Sequence, residues 1–294
     1  MEPVVRIERS LQAAIGRSDS SGCPPRLAAA MRHAVFPRGA RIRPRLCLAV
    51  AAACGEDDAD VTDAAAAAIE LLHCASLVHD DLPCFDDAET RRGQPSVHRA
   101  FGEPLAVLAG DALIVLAFQT LAQGAALTPM RLGPLVMTVG LAVGVPNGIV
   151  AGQAWECEDS VDLALYQREK TGALFAAATV AGAASTGAEA ECWRSLGMNL
   201  GEAYQVADDI LDATGDAAKL GKPVQQDAAH ARPNAVNLLG MAGAIARLQH
   251  LAQDAADSVP DCPGRAALSG HILSETLRLL PQRLELAPGR QRVA

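Results

Sequence analysis

The chain has 294 residues and a mass of 30.5 kDa, and 50% of it is apolar, enough to bury a sizeable core and to exclude a disordered chain. Thirty-four acidic against 25 basic residues give a net charge of −9 and an isoelectric point near 5.3, which excludes a broad nucleic-acid-binding surface. Aromatic residues make up only 3%, so aliphatic side chains and alanine must fill the interior, and alanine favours helix over sheet.

The first residues, MEPVVRIERS, mix charges with apolar residues and lack the architecture of a signal peptide, which predicts a cytoplasmic protein. From about Arg26 to Cys54 apolar residues recur at helical spacing, interrupted by the Pro-Arg-Gly of 37–39. Val61 to Asp80 is an alanine-rich helix whose start is assigned to Thr62 and Asp63, both good capping types. Further helical runs fall roughly at 103–123, 130–144, 146–158, 171–187, 190–213 and 234–257, separated by Gly or Pro. Ser258–Gly264 reads as a loop, and the residues after Pro288 as a mobile tail. The eight cysteines are scattered singly and read as reduced thiols.

The stretch between Arg131 and Glu156 carries no charge and is long enough to cross a bilayer. Pro134, Pro146 and Asn147 interrupt it and Gly140, Gly144 and Gly148 dilute it, so it predicts a helix pair buried at the centre of a bundle and no membrane span. With no period-two alternation, repeat or linker, the reading is one all-α domain over 1–294.

Two acidic clusters carry the chemistry. In LLHCASLVHDDLPCFDDAETRRGQPSVH, residues 71–98, Asp80, Asp81, Asp86 and Asp87 close a strongly apolar helix and are followed by Arg91 and Arg92. A solvated charge cluster is the simple alternative, but acids at the end of a buried helix are costly unless cations accompany them. In an unbroken helix Asp86 would lie about 240° around from Asp80, on the wrong face for shared ligation. Leu82-Pro83 resolves this by breaking the helix, so that the chain can bulge and bring Asp86 back. In GEAYQVADDILDATGDAAKLGKP, residues 201–223, Asp208, Asp209 and Asp212 can project from one helix face, with Gln205 a turn earlier. Such like charges destabilise an isolated helix, and hard divalent cations such as Mg²⁺, shared with a phosphate, best explain them. His73, seven residues before Asp80, lies on the same helix face.

These residues resemble the trans-isoprenyl diphosphate synthases. DDLPCFDDAETRRG (80–93) is similar to the family's first aspartate-rich motif in its bacterial form, and DDILD (208–212) to the second. RGARIRP (38–44) resembles the element that binds isopentenyl diphosphate, FGEPLAVLAGDALIV (101–115) the helix after the first motif, GQAWE (152–156) the Gly-Gln-x-x-Asp element, KTGALF (170–175) the Lys-Thr-Gly element and KLGKP (219–223) the lysine after the second motif. The resemblance runs in order from about residue 26 to 240 and is closest to bacterial geranylgeranyl diphosphate synthases of the carotenoid and bacteriochlorophyll pathways.

The resemblance implies a bundle of long helices around a central cavity, a homodimer, and three Mg²⁺ ions bridging the two motifs through the allylic diphosphate. Asp80, Asp86 and Asp208 would be the principal ligands, with Asp81, Asp209 and Asp212 ligating directly or through water. Arg91, Lys170 and Lys222 would add charge at the leaving diphosphate. Arg92, with Arg41, Arg43 and His73, would hold isopentenyl diphosphate, and Thr171 and Gln205 would stand near the allylic cation. The expected substrates are isopentenyl diphosphate and the dimethylallyl, geranyl and farnesyl diphosphates. Arg38 and Ala40 depart from the family's Gly and Lys, and QQDAAHARPN (225–234) lacks its usual lysine-threonine, which predicts weaker grip on isopentenyl diphosphate. Ala75 and Ser76 are small where farnesyl-producing bacterial relatives place a ring at the position of Ala75, which predicts a geranylgeranyl product. A farnesyl synthase is the nearest alternative, and a non-catalytic subunit of a heteromeric synthase the alternative of another class. Terpene cyclases share the acidic motifs but carry Asn, Ser and Glu ligands in the second, unlike DDILD.

Overall fold

The structure, a computed structural model, describes residues 2–19, 22–36, 39–56, 58–158, 171–214 and 234–280. Lys170, Lys222, Arg38 and the tail after Pro288 lie outside the described residues. The architecture is all-α. Helix α1 (Pro3–Gly16) turns Ile7, Leu11, Ala14 and Ile15 inward, a stripe at helical spacing. It is followed by α2 (Pro25–Val35), α3 (Ile42–Cys54) and α4 (Ala59–Asp80). A two-residue antiparallel hairpin, β1 (Thr90–Arg91) with β2 (Gln94–Pro95), leads to the short α5 (Val97–Phe101) and the long α6 (Glu103–Gly124). Then come α7 (Leu132–Val143), α8 (Ile149–Ala154), α9 (Ala173–Thr186), α10 (Arg194–Thr214), α11 (Ala235–Asp257) and α12 (Arg265–Leu277).

Two helices form the centre. In α4 nearly every residue from Val61 to Leu72 is buried, and in α9 every residue from Ala173 to Ser185. Helix α4 packs on α6, α3 and α9, and α9 also packs on α3, α10 and α7. A second apolar seam joins Ala203, Val206, Ala207 and Ile210 of α10 to Ala244, Leu248 and Leu251 of α11. Helices α4 and α6 are both long and apolar enough to cross a membrane by length and composition alone, but 83% of the α4 window is buried inside the fold, as in the core helix of a bundle. The corresponding α6 window is only 44% buried.

Three expectations need correction. The uncharged segment after Arg131 is not the buried centre: α7 buries Leu135, Val139 and Ala142 but exposes Met137 and Leu141, and Val145 and Val150 beyond it are exposed too. The all-round burial belongs to α4 and α9, where alanine predominates and neighbouring backbones can approach. The cap of α4 is Asp58, whose extended backbone lets its carboxylate accept from the amides of Asp60 and Val61. Thr62 and Asp63 sit inside the helix, where the Asp63 carboxylate accepts from Arg6 Nε at 2.7 Å. The run at 146–158 forms only the six residues of α8 and a following turn.

Close approach between helices rests on residues without bulk. A Cβ on Gly182 of α9 would lie 2.5 Å from the carbonyl oxygen of Cys47 in α3, and one on Gly197 of α10 would lie 2.4 Å from Ala176 Cα. Gly182→Ala is therefore expected to destabilise by about 1–3 kcal/mol through overpacking. Gly133→Ala, with nothing within 4 Å of the new methyl, should not, and thermal unfolding of the two variants is the comparison to make.

Candidate active site

The first acidic cluster is assembled by a chain reversal at the end of α4. Pro83 ends regular helix, and the backbone folds back so that Asp86 N–H donates to Asp80 O at 3.0 Å and Ala88 N–H to Asp81 O at 3.2 Å. Asp86 is thereby returned beside Asp80, as the bulge expected at Leu82-Pro83 requires. Asp80 is half-buried and Asp86 exposed, whereas Asp81 is buried and points into the fold. There it accepts from Arg91 Nε at 3.0 Å, and Arg91 Nη2 makes a second bond to the same carboxylate. Burial raises the Asp81 pKa, and the Arg91 bond opposes that rise. Burial works against the charge on Arg91 itself, but Asp81, then Asp80 and Asp86, outweigh it and hold its pKa above the ordinary value.

The second cluster repeats the pattern. Asp208 is exposed, Asp212 half-buried and Asp209 buried at 3%. Asp209 accepts from Gln205 Nε2 at 3.1 Å and from the Ala235 amide at 2.7 Å, so it caps the start of α11 beside Asn234, which accepts from Asn237 N–H. Thr171 Oγ1 donates to Gln205 Oε1 at 3.3 Å, completing a chain from Thr171 through Gln205 to Asp209. Asp81 and Asp209, expected to ligate directly or through water, are thus each held by protein donors. In each Asp-Asp pair the first residue is the more exposed and the second is buried, because successive helical residues point about 100° apart.

Between the clusters stands a basic nest. Arg43 of α3 packs its guanidinium 4.5 Å from the Phe175 ring centre, and Phe175 in turn stacks on Tyr204 with centres 4.9 Å apart. Burial lowers the Arg43 pKa against the pull of Glu70, Tyr204 and Asp208. Its Nε is buried with no hydrogen-bond partner among the described residues, a donor suited to an anion. His73 Nε2 lies 3.2 Å from Arg43 Nη1. Burial, then Arg43, Arg92, Arg91 and Arg41, push the His73 pKa well below its usual range, so the ring is neutral and Nε2 accepts from Arg43. The Arg92 guanidinium lies against Gly39, where a Cβ would sit 2.7 Å from its Cζ.

Arg41, expected with these arginines, adjoins them through Glu70, with its guanidinium turned into the fold. It is 3% exposed, with Nη1 2.6 Å from Glu70, Nε 2.9 Å from Glu8 and Nη2 donating to Val35 O at 2.7 Å. Its left-handed backbone (φ 50°), a strain of roughly 1–2 kcal/mol for a residue with a side chain, turns it into the fold while Arg43, two positions on, faces the site. On α4, Ala75 is buried in the main core, and Ser76 is half-buried with its hydroxyl on His73 O. Gln153 and Glu156 of the GQAWE segment bond each other in the open.

Sequence reasoning passed over three further residues. Glu70 is a lone acid in an apolar run, a signal that a cation must meet it. His79 Nε2 lies 3.2 Å from Val107 O on α6, its ring occupying the space above Gly110. His98 is buried, its Nδ1 3.1 Å from Ser96 Oγ and its Nε2 3.5 Å from Asp87.

The donor set suits Mg²⁺. It offers hard carboxylate oxygens, and among the described residues no three Asp, Glu, His or Cys side chains converge into a cage of their own. Mg²⁺ characteristically takes one or two carboxylates and completes its shell with water and substrate phosphate.

The chain is similar to known proteins over most of its length. The family model for polyprenyl synthetases matches residues 24–262. The chain is 54% identical over 276 residues to a geranylgeranyl diphosphate synthase of Cereibacter sphaeroides, covering 94% of this chain and 96% of that one. It is 53% identical over 264 residues to the Rhodobacter capsulatus geranylgeranyl diphosphate synthase, covering 90% and 91%. Among solved structures it is similar to a geranyltransferase from Legionella pneumophila (TM-score 0.79, 28% identity, 94% of each chain). It is also similar to a Helicobacter pylori geranyltransferase complexed with magnesium and isoprenyl diphosphate (TM-score 0.78, 27% identity, 95% of this chain and 98% of that one).

Because the folded His73 resists protonation while an unfolded one titrates near its ordinary 6.5, the unfolded state binds the extra proton as pH falls below that value. The stability His73 contributes is present above about pH 6.5 and is lost below it. His73→Gln is expected to flatten that part of the stability–pH curve, measured by denaturant unfolding between pH 5 and 8.

Proposed function

The chain belongs to the polyprenyl synthetase family, and from this premise we infer that it is a geranylgeranyl diphosphate synthase. It condenses isopentenyl diphosphate with an allylic diphosphate, releasing pyrophosphate. The observation that carries the reading is the basic nest of Arg43, Arg91 and Arg92 around a neutral His73, between two outward-facing carboxylate clusters, in a chain 54% identical to a synthase of that name.

Ionisation of the allylic diphosphate is the demanding step, because negative charge grows on the leaving group as the allylic cation forms. Fixed positive groups aimed at that charge lower the barrier by several kcal/mol. We assign Asp80, Asp86 and Asp208, with Asp212, to holding Mg²⁺, and three ions fit the expectation for the family with substrate bound. When bound, the metal supplies Lewis-acid stabilisation of the departing diphosphate. Asp81 and Asp209 keep the ligands beside them in place, Asp81 by fixing Arg91 and Asp209 by capping α11. Arg91 adds charge at the leaving group, and Lys170 and Lys222 are assigned the same role by resemblance. Arg43, Arg92 and His73 receive isopentenyl diphosphate, with arginine suited to bidentate grip on phosphate. Thr171 and Gln205, held as a pair, present oxygen dipoles to the cation. The proton lost after carbon–carbon bond formation is taken by the released diphosphate, and no general-base side chain is required.

Product length follows from α4. We assign the floor of the product site to Ala75, on the helix that ends in Asp80, where an aromatic ring would take up space that a methyl does not. We propose that the enzyme acts in the cytoplasm as a homodimer of one all-α domain over 1–294. Support for a second copy comes from the outer face of α6 and α7, which turns Val107, Leu108, Val115, Met137 and Leu141 to solvent. Leu108→Glu with Val115→Glu is expected to convert the sedimenting species from dimer to monomer.

Purified protein with Mg²⁺, labelled isopentenyl diphosphate and each allylic primer in turn is expected to yield the twenty-carbon diphosphate, sized by chromatography. Ala75→Tyr should shift the product to fifteen carbons. An unshifted product would remove Ala75 as the floor, and absence of any product would remove the enzymatic reading.

A further inference from the structure

The Glu70 carboxylate is 2% exposed, yet two arginines meet at one of its oxygens. Arg41 Nη1 is 2.6 Å from Glu70 Oε1 and Arg92 Nη2 is 3.6 Å from the same atom, with Cys74 Sγ 3.9 Å away. Arg41 is otherwise committed to Glu8 and Val35 O, so α1, the end of α2, α3 and α4 are tied together at this point. Arg92 approaches from the hairpin with its own left-handed backbone (φ 52°), passes its guanidinium over Gly39, and reaches 4.0 Å from Cys74 Sγ. Glu70 is too deep to touch a substrate, but its charge lies behind a guanidinium assigned to substrate.

We propose that Glu70, itself locked by Arg41, is a positioning residue for isopentenyl diphosphate: it fixes where the Arg92 guanidinium stands between Cys74 and Gly39. This rests on the assignment of Arg92 to isopentenyl diphosphate made above. A buried carboxylate suits the task, because the low-dielectric surroundings strengthen its hold on the guanidinium, and Arg41 offsets the cost of burying it.

The test is steady-state kinetics of the full-length enzyme with Mg²⁺, varying isopentenyl and allylic diphosphates separately, for Glu70→Gln, Arg92→Ala and the double variant. Glu70→Gln is expected to raise the isopentenyl diphosphate KM on the order of ten-fold, about 1.4 kcal/mol, with the allylic KM moving less than about two-fold. In the Arg92→Ala background the same change should add almost nothing, since the group it positions is gone. Equal effects of Glu70→Gln in both backgrounds, or an isopentenyl KM that does not move, would overturn the proposal and leave the role of Arg92 standing. An Arg92→Ala enzyme with unchanged isopentenyl KM would instead overturn the assignment of Arg92 itself. Should Glu70→Gln fail to fold with Arg41 left buried, Glu70→Asp keeps the charge and shortens its reach. It should show the same selective rise in smaller measure, and its absence would be equally decisive.

Discussion

The site depends on the chain reversal that closes α4. Regular helix would have carried Asp86 away from Asp80. The bond from Asp86 N–H to Asp80 O, the Ala88 bond to Asp81 O and the Arg91–Asp81 pair hold the chain in a compact turn. The hairpin at 90–95 follows from that turn and delivers Arg91 and Arg92 to opposite tasks. Arg91 faces the acids of its own motif, and Arg92 crosses Gly39 toward α3 and α4. A break in one helix thus gathers carboxylates and guanidinium groups from a single short segment.

The two acidic pairs share a division of labour. A helix that presents adjacent aspartates cannot aim both at one ion, and here the inner member of each pair is bonded to groups that hold its neighbour in register. Asp209 links the DDILD helix to the start of α11 and, through Gln205, to Thr171. The two differ in charge: Asp81 has the Arg91 cation beside it, whereas the Gln205 and Ala235 donors to Asp209 are neutral amides that hold it without cancelling its charge.

Much of this was legible in the sequence. Most helices, the bulge at Leu82-Pro83 and the two clusters followed from period, proline and charge. What escaped was set by tertiary contact. Arg41 and Arg43 are two apart and chemically alike, and only the left-handed turn at Arg41 decides which of them faces inward. The uncharged run after Arg131 and the alanine run of α4 both read as interior, and composition could not tell a buried face from one left to solvent. Helix α1 announced itself through Ile7, Leu11, Ala14 and Ile15, a stripe that deserved a helix assignment. Glu70 is the instructive miss, because a lone carboxylate among alanines and leucines implies a buried partner even before the partner is known.

The alanine-built interior has an evolutionary consequence. Cores of large side chains are vulnerable to truncation, but in α4 and α9 that vulnerability is confined to a few positions such as Ile69, Leu71, Leu72, Leu174 and Phe175, while at the alanines Ala→Gly removes one methyl and costs on the order of 1 kcal/mol. The sensitive direction is enlargement, as the spaces above Gly182 and Gly197 indicate. Such a core drifts by gaining volume, and most gains are unaffordable between packed backbones. Against a bound prenyl chain, however, an added side chain would meet a flexible hydrocarbon. The same bias that makes the scaffold intolerant would then make product length one of its easier properties to change, and chiefly toward shorter chains.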